Sequence, residues 1–302
     1  MTINLGSIHD LLLPGLNAVE GKYKEVPLEL EEVFVKRQSF MNQEFTVQNR
    51  YAGIAQIKED GGSISYDNNS GQRYKYNMRP VGAGLGVVFT RQALADNLYK
   101  SEFGPTVIGM QNSMRQFWNY QSAYLFNTAT TYDANSGGTG QPLLSVSHPV
   151  DGGTFANTSS VPQSLAEGSL ISAITAIPTT FVDQAGLLID VMPETLLVPW
   201  NLRATALRLL EAELRPGTAN NDPNVIHQLN GHVRLKTCRY LSSKYAWFLL
   251  TSVKGFIEFE REPYEQNMWA DFDTHNLKIQ NYERKGYFWN DPRSVYGQMA
   301  TS

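Results

Sequence analysis

One cysteine in 302 residues, Cys238, leaves nothing with which to build a disulfide framework or a cysteine-cluster zinc site. Such a chain suits a reducing compartment. Charge is sparse too: 18% of residues are Asp, Glu, Lys or Arg, and the formal net charge is −4. No global basic field exists to pull nucleic acid onto the surface. Long apolar runs are missing. Leu11-Leu12-Leu13 is stopped at once by Pro14-Gly15, far short of a signal core or a membrane span, and no basic segment precedes it. The expectation is a soluble, intracellular protein with no membrane partner. There is no Walker loop, no GxSxG elbow, and neither HExxH nor HxxxH spacing.

What the chain does have is length, enough for one large domain or two modest ones with real cores. Residues 1–43 hold Pro14, Gly15, Gly21 and weak helical stretches, and Leu28–Arg37 can be read as a short helix or an extended run. No core is evident there, so the segment reads as an arm of the kind that docks on a neighbour. Residues 44–89 change character. Phe45, Val47, Tyr51, Ile54 and Ile57 recur at strand-like spacing, followed by turn signals at Asp60-Gly61-Gly62-Ser63 and Asp67–Gly71. Tyr74, Tyr76, Met78 and Val81–Phe89 form a second β-like run. The pattern predicts a long two-stranded hairpin with a polar tip at about 59–72. Its bases carry Arg50, Tyr51, Arg73, Lys75, Tyr76 and Arg79, suited to lying on another surface. Folding back on its own domain is the equal alternative, because such a ribbon alone is marginal in water.

Thr90 is placed to cap a short helix at 91–99, which Gly104-Pro105 should break. Pro105 then opens a helix at 106–128, with Val107, Met110, Met114, Phe117, Gln121 and Tyr124 on one stripe. That rod would be about 33 Å long. A polar loop at 131–163 holds one apolar island at 142–146. A helix over 164–182 follows, with Pro178 ending it. Residues 187–199 read as a buried strand resuming after Pro193, leading into a helix at 201–214. The loop at 215–224, with Pro216, Asn220, Asn221 and Asp222, has almost no apolar content and should be exposed. Strands at about 232–241 and 245–252 read as a hairpin over Ser242–Lys244. Gly255–Arg261 and Asn276–Tyr287 read as further strands. Helices mixed with hairpins make an α+β chain.

Few constellations could carry chemistry. Gly82-Ala83-Gly84-Leu85-Gly86 has GxGxG spacing and runs into strand-forming Val87-Val88-Phe89, so close backbone approach is the better reading than a dinucleotide loop. Ser145, Ser147, His148 and Asp151 crowd one loop, but a hydrolytic triad needs its members brought together in space on a scaffold. His227 and His232, with Asp222 nearby, flank a turn at Asn230-Gly231 and offer at most an adventitious metal. Glu258 and Glu260 alternate with Ile257 and Phe259 and read as a solvated acidic strand face. Arg203, Arg208 and Arg215 could make a local positive edge, although exposed pairing of Arg208 with Glu211 is the simpler reading. No catalytic residue, metal ligand or cofactor is assigned.

The order of elements is arm, long hairpin, interrupted long helix, central α/β unit with an exposed loop, then return strands. Local cues are Leu196-Leu197-Val198-Pro199 before a helix, Trp247-Phe248-Leu249-Leu250, and Asn290-Asp291-Pro292-Arg293 near the end. Taken together this resembles the major capsid proteins of tailed phages, especially the Mu-like head subunits. The resemblance implies an N-terminal arm at 1–43 and an extended E-loop at 44–89. It implies a peripheral domain at 90–183 with a spine helix, an axial domain at 184–254, and return strands at 255–302 completing the peripheral domain. It further implies a structural, non-enzymatic protein of the virion, assembled in the host cytoplasm as hexamers and pentamers into an icosahedral shell around double-stranded DNA, without sequence-specific binding. A separate scaffolding protein, a portal and, optionally, a decoration protein would be its partners. Arg50, Tyr51, Arg73, Lys75, Tyr76 and Arg79 of the E-loop, and Pro216, Asn220, Asn221 and Asp222 of the axial loop, are the implied inter-subunit contacts.

The chain departs from some relatives. It lacks the roughly hundred residues of a cleaved N-terminal scaffolding segment, so it resembles members assembled on a separate scaffold. Lys58, Lys75 and Asn290 are present, but their positions do not argue for a Lys–Asn isopeptide link. Three other readings stand beside the capsid: an encapsulin-like compartment on the same fold, a soluble hydrolase using 145–151, and a tail-tube subunit.

Overall fold

The computed structural model describes residues 28–38, 55, 57–64, 78–95, 99–134, 140–150, 153–214, 223–229 and 233–300. In chain order its strands are β1 (Val35–Gln38), β2 (Val81–Phe89), β3 (His148–Val150), β4 (Gly153–Phe155), β5 (Pro193–Pro199), β6 (Arg234–Cys238), β7 (Trp247–Thr251), β8 (Phe256–Ala270), β9 (Leu277–Trp289) and β10 (Val295–Gln298). Its helices are α1 (Arg91–Ala95), α2 (Tyr99–Asn127), α3 (Glu167–Thr180), α4 (Arg203–Glu211) and α5 (Val225–Leu229). The described residues fall into two compact units. One takes in 28–38, 80–122 and 258–286; the other takes in 123–257 and 287–300, with 55–64 and 78–79.

The first unit is a four-stranded sheet of order β1-β8-β9-β2 with α2 packed on it. Thr90 Oγ1 accepts the Ala93 N–H at 3.3 Å and caps α1, as its position predicted. Gly104-Pro105 does not open the long helix: α2 starts at Tyr99 and runs through both. Pro105 removes one N–H from the ladder. The helix survives because Val107, Met110, Met114 and Trp118 downstream are all buried. Val107 and Met110 pack on Leu277 and Ile279 of β9, with Val87, Phe89 and Met268 around them.

Three expectations change in this unit. Val81–Phe89 was read as the second arm of the 44–89 hairpin, yet β2 pairs antiparallel with β9, Val81 opposite Lys285 and Phe89 opposite Leu277. The triple glycine makes this possible: a Cβ on Gly82 would stand 3.0 Å from the Tyr282 hydroxyl. Of the rest of that hairpin, 44–54, 56 and 65–77 lie outside the described residues. Second, Leu28–Arg37 is not free arm. Leu28, Leu30 and Phe34 are buried, and after a 3₁₀ turn at Glu31–Val33 the chain adds β1 to the sheet beside β8. Third, the strand read at Gly255–Arg261 runs on to Ala270 as β8 and, through a turn at 271–276, makes a long hairpin with β9.

The second unit is built on a sheet of order β10-β7-β5-β6. β5 runs parallel to β6 and antiparallel to β7, so the hairpin read at 232–252 does not form. Leu196, Leu197 and Val198 are apolar towards both faces and fully buried, which takes β5 to an inner position between β6 and β7. β10 pairs with β7, which puts the chain's last strand in this sheet and not with β8 and β9. Leu170, Ala173 and Ile177 form the buried stripe of α3, which continues past Pro178 to Thr180. With Phe181, Leu196, Val198, Trp247 and Leu249, and with Ala206, Leu210 and Ile226 from α4 and α5, they make one core.

Candidate assembly surfaces

Burial and hydrogen bonding define the described members of the residue groups that suggested chemistry. His148 begins β3 with its ring fully buried. Its Nε2 lies 3.2 Å from Asn157 Oδ1, and the ring stacks on Phe155 at 5.0 Å between centroids. Burial, assisted by the Arg293 charge and opposed by the Asn157 hydrogen bond, lowers its pKa to about 4. Asn157 is the hub of this corner. Its Nδ2 donates to the Leu143 and Pro292 carbonyls at 2.7 and 3.0 Å, and its Oδ1 accepts the Ser145 N–H at 2.9 Å. Ser145 Oγ accepts the Ser147 N–H at 3.1 Å and stabilises the turn. A fully buried imidazole held in this way braces a loop and has no access to substrate. Asp151 lies outside the described residues.

His227, on α5, sets Nδ1 3.1 Å from the Leu210 carbonyl. Its expected companions His232 and Asp222 lie outside the described residues. Among the described residues no three His, Cys, Asp or Glu side chains cluster as metal ligands. None of the described helices is long and apolar enough to cross a membrane. Arg203, read as part of a positive edge, has its guanidinium 4.6 Å over the half-exposed Trp200 ring.

Of the expected inter-subunit residues, Arg79 is exposed immediately before β2. Arg50, Tyr51, Arg73, Lys75, Tyr76, Pro216, Asn220, Asn221 and Asp222 lie outside the described residues. Stretches of chain next to them in sequence are described. At the predicted hairpin tip, Gly62 N–H donates to the Glu59 carbonyl at 3.0 Å, with Gly61 at φ +76°. Ile57 and Ile64 beside this turn are 99% and 66% exposed, so the chain's own core does not use them. The 215–222 loop springs from a closed base. Leu214 and Pro223 form an antiparallel bridge, and Asn224 Nδ2 donates to the Leu209 and Ala212 carbonyls at 2.9 and 2.8 Å. Asn224 Oδ1 also accepts the Ile226 N–H, seating the first turn of α5.

Two features escaped the sequence reading. Phe272, at the β8–β9 turn, is 90% exposed on a braced scaffold. Asp271 N–H donates to the Asn276 carbonyl at 2.9 Å, His275 N–H donates to the Asp271 carbonyl at 3.0 Å, and Lys278 pairs with Asp271 at 2.7 Å. Asn276 Oδ1 accepts the Arg91 N–H at 3.0 Å. The signal was available: an aromatic flanked by Asp271 and Asp273 in a turn has no core to enter. The second feature corrects the reading of Glu258. It is buried, not solvated, as are Glu283 and Lys285 on β9. Lys285 Nζ lies 2.8 Å from Glu283 Oε1 and 3.6 Å from Glu258 Oε1.

A family model described as phage capsid protein matches residues 79–297. No curated protein matches the chain. Among solved structures, the capsid of Myoviridae phage XM1 superposes with a TM-score of 0.55 at 10% identity, covering 91% of this chain and 92% of that one. The capsid of an empty GTA particle gives 0.53 at 10% identity, covering 89% and 88%. A virus-like particle from Pyrococcus furiosus gives 0.52 at 9% identity, covering 93% and 96%. At such identities these likenesses speak for the fold, an α+β tailed-phage capsid fold. The family match is independent of them and runs from the residue before Pro80 into β10, through both units, so the chain belongs to the phage capsid protein family.

Proposed function

We propose that this chain is the major capsid protein of a tailed bacteriophage, a structural subunit that assembles as hexamers and pentamers into an icosahedral shell around double-stranded DNA. The observation that carries the reading is the capsid-family match over residues 79–297, which takes in the greater part of both units. The physical picture agrees. The net charge of −4 suits a wall that encloses DNA without binding its sequence. The full burial of His148 speaks against hydrolysis at the 145–151 loop. Exposed apolar residues at 57, 64 and 272 suit contacts between copies, each modest and repeated across a closed shell. In this reading the part of 44–89 that precedes β2 reaches over a neighbour, 215–224 meet at the capsomer centre, and a separate scaffold guides closure.

The test is negative-stain electron microscopy with light-scattering mass on the purified protein, expressed with and without its neighbouring genes. Closed particles tens of nanometres across are expected. A clean monomer from both preparations would count against a shell. A second reading, a compartment shell enclosing protein cargo, draws on the likeness to the Pyrococcus furiosus virus-like particle. Particle contents decide it: nuclease-protected DNA for the capsid, co-purifying protein for the compartment.

A further inference from the structure

Inside the first unit, the interface between α2 and its sheet changes chemistry along β9. Leu277 and Ile279 meet Val107 and Met110 in an apolar contact. Continuing on the same face of the strand, Asn281, Glu283 and Lys285 are all at most 4% exposed. Glu258 of β8, 5% exposed, completes the group. Two carboxylates therefore share one ammonium in a dry interior, at 2.8 and 3.6 Å. The indole ring of Trp118, on α2, stands 4.9 Å from that ammonium. Glu258 Oε2 is buried with no hydrogen-bond partner among the described residues, and neither Oδ1 nor Nδ2 of Asn281 has one.

The pairing within this group is uneven. A buried ion pair is tolerable only when its geometry satisfies both partners. Here Lys285 sits closer to Glu283, and Glu258 is left with a longer contact and one bare oxygen. A proton on Glu258 would remove the charge from its bare oxygen. Among the described residues Lys285 is the cation within ion-pair distance of Glu258. Lys36 on β1 acts on Glu258 from a distance, but it is tied to Glu31, whose charge pushes the other way, as does Glu260 on β8 itself. Arg115 on α2 acts on Glu31.

We propose that Glu258, Glu283 and Lys285 form a buried proton-binding site, with Glu258 as the acceptor, that couples pH to the seating of the long helix on its sheet. When Glu258 takes up a proton, Lys285 pairs with Glu283 alone, and the position of its ammonium under Trp118 changes with it. Burial raises the pKa of Glu258, and the Lys285 and Lys36 charges only partly offset the rise. The folded state therefore binds this proton more tightly than the unfolded chain. The contribution is present below the ordinary glutamate pKa of 4.5 and is lost as pH rises through the higher folded value.

Two measurements test this. In the unaltered protein, ¹³C NMR of the glutamate side-chain carboxyls should show Glu258 titrating above the ordinary glutamate range, with the Trp118 indole resonance moving at the same midpoint. Glu258 titrating at or below that range, or a Trp118 signal that ignores its titration, overturns the proposal. In a second experiment, Glu258→Gln stands in for the protonated form. Glu258 makes wild-type stability fall as pH rises from the ordinary glutamate value through the higher folded one, and the substitution should remove that component. A variant whose unfolding midpoint runs parallel to wild type across the range would show an ordinary ion pair and no proton switch.

Discussion

His148 shows how far burial can carry a reactive side chain from reactivity. Its ring lies between Asn157 and Phe155, and the Arg293 guanidinium stands 5.0 Å over the same phenyl ring. Desolvation is the largest cause of its low pKa. The sign follows directly. Between the ordinary value of 6.5 and the folded value of about 4, the unfolded chain holds a proton that the folded one does not. Stability is complete above 6.5 and is lost as pH falls towards 4, by about 3 kcal/mol at full expression. His148→Gln keeps an amide able to bond Asn157 but has nothing to titrate. Chemical unfolding midpoints measured between those limits should show wild type losing ground to the variant as pH drops, whatever their offset at neutral pH. Equal slopes would mean that the imidazole does not carry the loss. Glu258 acts with the opposite sign in a neighbouring pH range, so each variant should be compared with wild type and not judged on the absolute curve.

Elements were legible where one periodicity dominated a long enough stretch. The stripe Val107, Met110, Met114 predicted α2, and a helix was read at 164–182 where α3 stands. Partners were less legible than elements. Nothing local in 234–251 announces that β5 comes between β6 and β7, because a fully apolar strand such as Leu196–Val198 states only that both its faces are covered. Glu258 was misread for a related reason. Alternation on β8 separates two faces but does not say that α2 lies over one of them and β9 supplies Lys285. The β8–β9 hairpin carries the next prediction. Its turn is held by Asp271, Asn276 and Lys278, so Phe272 is presented without loss of order on binding. Phe272→Ser removes a ring that is 90% exposed and should leave the unfolding midpoint within about 0.5 kcal/mol of wild type. If the ring is an anchor between copies, the concentration needed for assembly rises, by roughly tenfold for each 1.4 kcal/mol removed from a contact. An unchanged threshold, measured by light scattering, would remove Phe272 from the interface.

At the scale of the whole molecule, what matters is which surface serves the fold and which serves other copies. On the proposed capsid reading, residues 57–64 belong to the second side of that division. Ile57 and Ile64 are exposed, the turn at Glu59–Gly62 is closed by its own backbone, and neither isoleucine is part of the buried core. Removing residues 60–71 takes out the polar tip predicted for the 44–89 hairpin and joins Glu59 to Gln72. Shortening an exposed connection costs a chain little, because closure entropy changes slowly with loop length. The deletant should therefore be soluble, with the far-UV circular dichroism and unfolding midpoint of the parent. Assembly should respond differently. Every copy in a shell loses the same contact, and a small deficit repeated around a closed surface becomes a large one. Electron microscopy of the deletant, beside wild type at equal concentration, should show open fragments or no particles, or closed particles that dissociate at lower denaturant. Intact shells of wild-type stability would mean that this tip clamps nothing, and the segment would then be read as a ribbon folded back on its own subunit.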